Sequence, residues 1–171
     1  ARLTGVRRVL FASSNHAIGF HPRSQKLDAD SPVRPDGLYG VSKVFGEGLA
    51  RLYWDKFGIE SLIVRIGSCF PEPRDLRQLA TWLSPDDMIR LIERMVGAPH
   101  LGCPIVYGAS DNAESWWDNA KAGYLGWRPQ DSAEDYREAL EARLGRPQPL
   151  AGEVYFQGGS FATLGHPSDQ D

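Results

Sequence analysis

Apolar positions along the chain form short runs that are separated by a long segment with helical spacing. Residues 9–12 are a short apolar run that ends in polar serines, which is typical of a buried parallel strand. From about residue 36 to residue 57, apolar residues recur three and four positions apart, and Gly58 ends the pattern. These residues are Val41, Phe45, Leu49 and Leu52. Because a second apolar run follows at 61–66, the order strand, crossover helix, strand predicts a parallel sheet.

The rest of the chain predicts a third strand and three further helices. A Pro-rich turn and an irregular region extend through Trp82. Ser84 and Pro85 then begin a helix that runs to about Val96, because serine is a favoured N-cap and proline suits the first helical position. The other expected elements are a strand at 104–107, a short helix at 115–123 with Trp116 and Trp117 packed inward, and a last helix at 131–144.

The composition is that of an ordinary globular domain. Hydrophobic residues make up 42% of the 171 residues and charged residues 24%, which suits a single domain with a substantial core. The net charge of −3 and the alternation of basic with acidic residues argue against nucleic acid as a partner. No apolar run approaches the ~20 residues that span a bilayer, so no membrane partner is expected.

The cysteines and histidines favour neither a disulfide nor a metal site. Cys69 and Cys103 form no CxxC and lie beside strand-like segments, so we expect buried free thiols in a reducing cytoplasm. The four histidines show no paired ligand spacing, and we therefore expect no metal.

The strongest candidate chemistry lies at the start of the long helix. Tyr39 and Lys43 are four residues apart, so their side chains project from the same helix face. A phenol is a poor base near neutral pH, but an adjacent ammonium favours the phenolate and lowers the pKa of a tyrosine. Proton removal from a sugar hydroxyl then becomes feasible. This spacing alone is weak evidence, because many helices carry a solvent-facing Tyr and Lys at the same separation.

Polar groups at the ends of the predicted strands strengthen that hypothesis. Ser14 ends the first strand, 25 residues before Tyr39, and Ser68 follows the second strand. Because parallel sheets bind ligands at the carboxyl ends of their strands, Ser14, Tyr39 and Ser68 are expected to converge on one crevice. Ser14 would there hold the reacting hydroxyl near the phenolic oxygen. The alternative is a strand-end serine that only satisfies loop backbone.

This order of features resembles the short-chain dehydrogenase/reductase superfamily, in its extended branch of sugar-modifying enzymes. The matching motifs are VLFASS at 9–14, IG at 18–19, YGVSK at 39–43 and VRI at 64–66. The resemblance implies that Ser14 positions the substrate hydroxyl and that Tyr39 is the catalytic acid or base. It also implies that Lys43 tunes the tyrosine and binds the nicotinamide ribose.

A narrower resemblance, to the uronate dehydrogenases of that branch, covers nearly the whole chain. Its motifs are SSNH at 13–16, RPDGLYGVSK at 34–43, FGE at 45–47, VRIGSC at 64–69, PEP at 71–73, LGCP at 101–104, WWDN at 116–119, LGW at 125–127 and FQGG at 156–159. It implies NAD-dependent oxidation of galacturonate or glucuronate at C1 to the aldarolactone. The implied substrate contacts are Ser14, Asn15, His16, Ser68 and Arg77, and the implied cofactor contacts are Tyr39, Lys43 and Cys69.

The residues themselves agree with an acidic sugar as the small-molecule partner. An arginine fork suits a carboxylate, and Arg77 lies in the irregular segment after the second strand, where a substrate-facing loop belongs. Arg74, three residues earlier, is an alternative candidate. Either arginine could instead be a surface residue without a role in binding. His16, beside Asn15 at a strand end, is either a contact for ring hydroxyls or a turn residue.

The glycine-rich turn and the acidic residue that hold a dinucleotide are not found in a strand-to-helix context. We therefore expect an α/β fold that is the C-terminal portion of a Rossmann-type doubly wound parallel sheet with a small substrate-binding extension, truncated at its N-terminus. The expected division is a catalytic part at 1–68, a substrate-binding helical region with a late strand at 69–145, and an extended tail at 146–171. We also expect this chain alone to bind NAD weakly and to turn over slowly or not at all.

Two other functions stay open. A nucleotide-sugar epimerase or dehydratase of the same branch would use the same Ser, Tyr and Lys, but it needs a larger C-terminal region than the roughly 100 residues after Ile66. The other is a Rossmann-like binding protein without activity. The sequence also leaves two oligomeric states possible. The segment at 156–159 could cover a neighbouring subunit in a homo-oligomer, or it could fold back on its own chain.

Overall fold

A computed structural model describes residues 1–145 and 155–165 of the chain. Its central sheet has three parallel strands, and the strand that follows the long helix lies between the other two. These strands are β1 (Arg8–Ser14), β2 (Glu60–Ile66) and β5 (Ile105–Gly108). All three expected strands are confirmed, and the α/β fold with a parallel sheet is confirmed with them. The carboxyl ends of β1 and β2 lie side by side, with Ser14 opposite Ile66.

Helix α1 (Leu38–Phe57) connects β1 to β2. It ends at Gly58, which adopts a φ of 66°, a left-handed conformation that glycine tolerates. The apolar residues that predicted the helix do not face the core, because they are between 43% and 72% exposed. The buried positions of α1 are Gly40 and Glu47. Gly40 is needed for this packing, since a Cβ there would lie 2.2 Å from the carbonyl oxygen of His16.

The region after β2 is more regular than expected. Two short strands, β3 (Ser68–Cys69) and β4 (Trp82–Leu83), pair in parallel, and the one-turn helix α2 (Gln78–Thr81) lies between them. The prediction of an irregular segment was wrong at these residues. Strands of two residues are too short to leave a periodic pattern in a sequence.

Two predicted helices are confirmed at their beginnings. Helix α3 (Pro85–Gly97) is capped by Ser84, whose side chain accepts a hydrogen bond from the N–H of Asp87. Helix α4 (Arg137–Leu144) follows a 3-10 turn at Ala133–Tyr136. The cap of this turn is Ser132, which lies where the sequence indicated a helix start.

The prediction of a short helix at 115–123 is wrong. A 3-10 helix forms instead at Ala120–Leu125. The preceding residues are extended, because Leu27 donates to the carbonyl of Trp116 and accepts from the N–H of Asp118, both at 2.8 Å. Trp117 is buried as expected, whereas Trp116 is only partly buried. Hydrogen bonds to a distant loop have therefore replaced local helical ones.

The core packs against alternate residues of the sheet. Leu62 and Val64 of β2 and Val106 of β5 form one cluster with Leu91 of α3. Tyr107, the next residue of β5, points to the opposite face and packs with a second cluster that includes Trp117. None of the helices in the described part of the chain has the length and apolarity needed to cross a membrane.

The described tail, residues 155–165, folds back on its own chain. Phe156 forms an antiparallel bridge with Pro22, and the N–H of Gln157 donates to the carbonyl of His21 at 2.9 Å. The segment at 156–159 thus contacts its own chain, which is one of the two arrangements that the sequence left open. The rest of the expected tail, at 146–154 and 166–171, lies outside the described residues.

Candidate active site

The carboxyl end of β1 begins the candidate site. Ser14 is buried, and its Oγ accepts a hydrogen bond of 3.2 Å from the N–H of His16. This bond caps a 3-10 turn at Asn15–Ala17. The turn brings Asn15 and His16 to the wall of a cavity. Ser14 therefore satisfies a loop backbone group, which is the alternative role for a strand-end serine, while its own O–H stays able to donate.

Tyr39 and Lys43 lie beside this turn, on the first two turns of α1. The ammonium of Lys43 donates to the carbonyl of Ala12 at 2.8 Å and lies 5.2 Å from the centre of the Tyr39 ring. The Tyr39 ring is half exposed and meets His16 edge to face, with ring centroids 5.8 Å apart. The spacing of four residues has thus placed the phenol and the ammonium next to one another, as the sequence predicted.

A cavity of about 350 Å³ lies where the ends of β1 and β2 meet the tail. This volume is near the lower end of the range of about 300–1,000 Å³ for small-molecule sites. Five of the residues that the sequence singled out line it, namely Asn15, His16, Ser68, Cys69 and Arg77. Ser14, Tyr39 and Lys43 do not line it themselves. Ser14 and Tyr39 reach its edge through their contacts with His16.

His16 is oriented by a residue that sequence reasoning missed. Its Nδ1 lies 2.8 Å from Oδ2 of Asp36, a side chain that is only 1% exposed. Because an ionised carboxylate only accepts hydrogen bonds, Nδ1 carries the proton in this pair and Nε2 is left for a ligand. The signal in the sequence was faint, since Asp36 precedes Tyr39 by three residues in a loop rich in proline.

Arg77 brings a partly buried guanidinium to the cavity, which the carboxylate of Asp75 also lines. Its Nε and Nη2 donate to the carbonyl of Gln157 at 2.9 and 2.5 Å. In the amide orientation that pairs both of its atoms, Asn15 accepts from Nη2 of Arg77 at 2.6 Å and donates to the carbonyl of Ile66 at 3.2 Å. Among the described residues, Nη1 of Arg77 has no hydrogen-bond partner, and no carboxylate lies within ion-pair distance of this side chain.

The charge of Arg77 persists despite its partial burial. Removal from water lowers the pKa of Arg77 to about 10, and the carboxylates of Asp75 and Asp36 partly oppose this effect. The group is therefore cationic at neutral pH. Arg74, the other candidate arginine, is exposed and does not line the cavity. Its guanidinium lies 3.7 Å from the centre of the Phe70 ring.

Ser68 and Cys69 form β3 on the opposite side of the cavity. Ser68 is buried, and its Oγ lies 3.4 Å from the hydroxyl of Thr81. Cys69 is exposed and Cys103 is only partly buried, so the expectation of buried thiols was wrong. The desolvation that the Cys69 thiol does experience raises its pKa, which keeps it protonated. A protonated thiol is a poor nucleophile, so a contact through this segment fits Cys69 better than covalent chemistry.

Residues of the tail form one wall of the cavity, and the sequence did not predict this location for them. Gly158, Ser160 and Phe161 line the cavity. The Phe161 ring lies 4.3 Å from the His16 ring, centroid to centroid. The signal in the sequence was the glycine pair after Gln157, because two adjacent glycines permit a close approach of backbone.

The nicotinamide end of a dinucleotide fits the residues beside Tyr39. An ammonium has three N–H donors, and Lys43 uses one of them on Ala12, so two are available for ribose hydroxyls. Tyr39 is half exposed on the same side. Within residues 1–145 and 155–165, by contrast, no group of three or more His, Cys, Asp and Glu side chains is arranged to hold a metal ion.

A larger cavity, of about 630 Å³, lies between β1 and α1. Val9 and Phe11 line it from β1, and Leu49 and Tyr53 line it from α1. It contains none of the residues that carry candidate chemistry. The smaller cavity is therefore the candidate active site.

Known proteins with similar sequences decide the family. Residues 1–85 match the NAD dependent epimerase/dehydratase family. Over 161 residues, which are 94% of its length, the chain is 55% identical to a uronate dehydrogenase from Agrobacterium fabrum. Residues 1–85 are thereby assigned to the NAD dependent epimerase/dehydratase family. The resemblance that the motifs indicated is thereby confirmed.

Solved structures of this family share the fold of the chain. A glucuronic acid dehydrogenase from Chromohalobacter salexigens superimposes with a TM-score of 0.94 at 57% identity over 99% of the chain. A mutant uronate dehydrogenase from Agrobacterium tumefaciens, complexed with NAD, gives a TM-score of 0.93 at 54% identity over 95% of the chain. The chain spans 61% of the Agrobacterium fabrum enzyme and 64% and 62% of these two structures.

Proposed function

We propose that the protein oxidises a hexuronate, galacturonate or glucuronate, at C1 to the aldarolactone, with NAD as the oxidant. The observation that carries the proposal is the guanidinium of Arg77, which lines a cavity beside Tyr39 and has no carboxylate partner among the described residues. A partly buried cation favours an anionic ligand, and an arginine binds a carboxylate better than a neutral hydroxyl. The similarity to uronate and glucuronic acid dehydrogenases supports the same class of substrate.

The polar residues around the cavity would orient the sugar. In this proposal, Nη1 of Arg77 donates to the substrate carboxylate, and Nε2 of His16 accepts from a ring hydroxyl. Asn15 and Ser68 face the same space. Ser14 holds the C1 hydroxyl through its own O–H, because its Oγ lone pair is already used by the N–H of His16.

The proton of the C1 hydroxyl would pass to Tyr39. The oxygen of Tyr39, in its phenolate form, takes this proton as the C1–H bond breaks, and the ring oxygen keeps C1 in the lactone that results. Bound NAD would accept the hydride that leaves C1. Lys43 stabilises the phenolate through its charge and holds the nicotinamide ribose with its two remaining N–H donors. Cys69 contacts the cofactor through its backbone.

The size of the site favours a free sugar acid over a nucleotide sugar. The cavity is about 350 Å³, and Gly158, Ser160 and Phe161 form one of its walls. A nucleotide would need additional space on that side. The proposed function is therefore preferred to an epimerase or dehydratase acting on nucleotide sugars.

The deciding experiment is an absorbance assay for NADH with the product of the complete gene. Addition of galacturonate or glucuronate with NAD should produce NADH, whereas galactose, glucose or a nucleotide sugar should produce little. An enzyme that turned over the neutral sugars as well as the uronates would contradict the role of Arg77. An absence of NADH with both uronates would reject the proposed function.

A further inference from the structure

Gln157 anchors the described tail through a buried amide. The residue is fully buried, and its side-chain Nε2 donates to the carbonyls of Pro22 and Gln25 at 3.1 and 2.8 Å. Its Oε1 accepts from the indole N–H of Trp117 at 2.9 Å. The backbone N–H of Gln157 donates to His21 at 2.9 Å. Because both donors and the acceptor of the amide are paired, this side chain has one defined position.

The backbone carbonyl of the same residue holds the guanidinium of Arg77. Two nitrogens of Arg77, Nε and Nη2, converge on the carbonyl oxygen of Gln157. A guanidinium is planar and rigid, so two hydrogen bonds to one oxygen fix the direction of the third nitrogen, Nη1. The direction of that nitrogen therefore depends on where the amide anchor places the carbonyl, and Arg77 is one of the residues that line the cavity.

The chain after Gln157 leaves little room for adjustment. The N–H of Gly158 donates to the carbonyl of Gly19 at 2.9 Å, and a Cβ at Gly158 would lie 1.8 Å from Oδ2 of Asp36. Gly159 has a φ of 65°, which is strained for other residues. A shift of the Gln157 carbonyl would therefore move a tightly packed backbone, and the amide bonds hold that backbone in place.

We propose that Gln157 is a positioning residue for recognition of the substrate carboxylate. It acts through Arg77 and does not line the cavity. The inference rests on the proposed function, since it requires an acidic sugar in the cavity. Loss of the amide should tilt Nη1 away from the carboxylate and weaken the binding of substrate, while the phenol and ammonium beside β1 keep their places.

The test is Gln157→Met, which keeps the length of the side chain and removes its hydrogen bonds. Kinetics with the product of the complete gene should show a KM for the uronate that rises about tenfold, with kcat within about twofold of wild type, because a contact made equally in ground and transition states is lost. The KM for NAD should not change. Calorimetric titration of galacturonate should show the same loss of affinity without turnover.

Trp117→Phe provides a milder second variant. It removes one hydrogen bond from the amide of Gln157 and retains an aromatic ring that can stack on Tyr107. A smaller rise in the KM for the uronate is expected. If Gln157→Met does not fold, this variant decides the question by the same measurement.

Asn112→Leu is the matched control for the loss of a buried amide. Asn112 is also buried, and its side chain bonds the carbonyl of Trp82 at 2.8 Å and the N–H of Ala133 at 3.0 Å, outside the cavity. This variant should melt at a lower temperature and keep the KM for the uronate. If Gln157 had only a structural role, Gln157→Met would behave like Asn112→Leu, with a lower melting temperature and an unchanged KM for the uronate.

The outcomes separate the inference from the function on which it rests. A wild-type enzyme that neither binds nor oxidises a uronate overturns both. A wild-type enzyme that does so, with Gln157→Met and Trp117→Phe at the wild-type KM, overturns the inference alone. An equal rise of KM in Asn112→Leu would also overturn it.

Discussion

Glu47 and Arg65 form a bidentate ion pair inside the protein, between the middle of α1 and the end of β2. The Nε of Arg65 lies 3.0 Å from Oε1 of Glu47 and its Nη2 lies 2.8 Å from Oε2. Arg65 also donates to the hydroxyl of Tyr107 at 3.1 Å, and Ser13 donates to Glu47 at 2.5 Å. Since Ser13 precedes Ser14, this network joins α1, which carries Tyr39 and Lys43, to the strand end where the site begins.

Replacement of Glu47 should strongly destabilise the protein. In Glu47→Gln, the buried cation of Arg65 loses its counter-charge, and a buried pair broken in this way costs about 3–5 kcal/mol. Urea denaturation, monitored by tryptophan fluorescence, measures the free energy of unfolding. The exposed pair of Arg51 with Asp55 is the control, because both side chains are more than half exposed. Asp55→Asn should cost less than about 0.5 kcal/mol, and an equal loss in the two variants would contradict the expectation.

Acid should destabilise the protein partly through Glu60. Burial alone would raise the pKa of this carboxyl, but hydrogen bonds from the N–H of Gly102, from Arg8 and from the N–H of Leu101 outweigh it and lower the pKa to about 2. A lowered pKa in the folded state contributes stability above the unfolded value of about 4.3, and this contribution is lost as the pH falls towards 2. In urea denaturation from about pH 5 down to about pH 2, Glu60→Gln should therefore lose less stability than wild type.

The matched control for the acid titration is Glu72, an exposed glutamate in the turn after β3. Glu72→Gln should follow the wild-type curve across the same pH range. Parallel curves for wild type and Glu60→Gln would show that Glu60 does not contribute to the acid sensitivity.

Removal of the Tyr39 hydroxyl should affect catalysis far more than binding. Tyr39→Phe removes the proposed base, and loss of a general base lowers kcat by about 10²–10⁴-fold. The affinity for NAD should stay nearly unchanged, as measured by calorimetry on the product of the complete gene. Tyr124→Phe is the control, since the Tyr124 hydroxyl bonds the carbonyl of Leu101 outside the cavity. Turnover by Tyr39→Phe at the rate of this control would reject the assignment.

The 171-residue chain by itself should bind NAD weakly. Its sequence has no glycine-rich turn between a strand and a helix, which is the element that binds the pyrophosphate of a dinucleotide. Lys43 and Tyr39 would contact only the nicotinamide end. Titration of the isolated chain with NAD, followed by calorimetry, measures this directly. Micromolar affinity and robust NADH production from the isolated chain would contradict the prediction.

Local signals in the sequence predicted local structure well. The serine and proline at 84 and 85 indicated the start of α3, and Gly58 indicated the end of α1. The spacing of Tyr39 and Lys43 indicated that both side chains share a helix face, and they lie side by side. Each of these signals depends on residues within about one helical turn of each other.

Other sequence patterns gave wrong predictions of burial and secondary structure, because both depend on contacts with residues far along the chain. The apolar residues of α1 are exposed, while Glu47 is buried, and no local pattern marks a glutamate for burial. Glu47 is buried because Arg65, from the neighbouring strand, neutralises it. The segment before Ala120 is extended because Leu27 supplies its hydrogen bonds.

The sequence by itself determined the three strands of the main sheet, helices α1 and α3, and the shared helix face of Tyr39 and Lys43, because hydrophobic periodicity, caps and four-residue spacing act over short distances. Only the tertiary structure decided which arginine lines the cavity, which carboxylate orients His16, and that Gln157 holds Arg77 from 80 positions away. Contacts between distant segments depend on how the packed elements fill space and pair their buried polar groups.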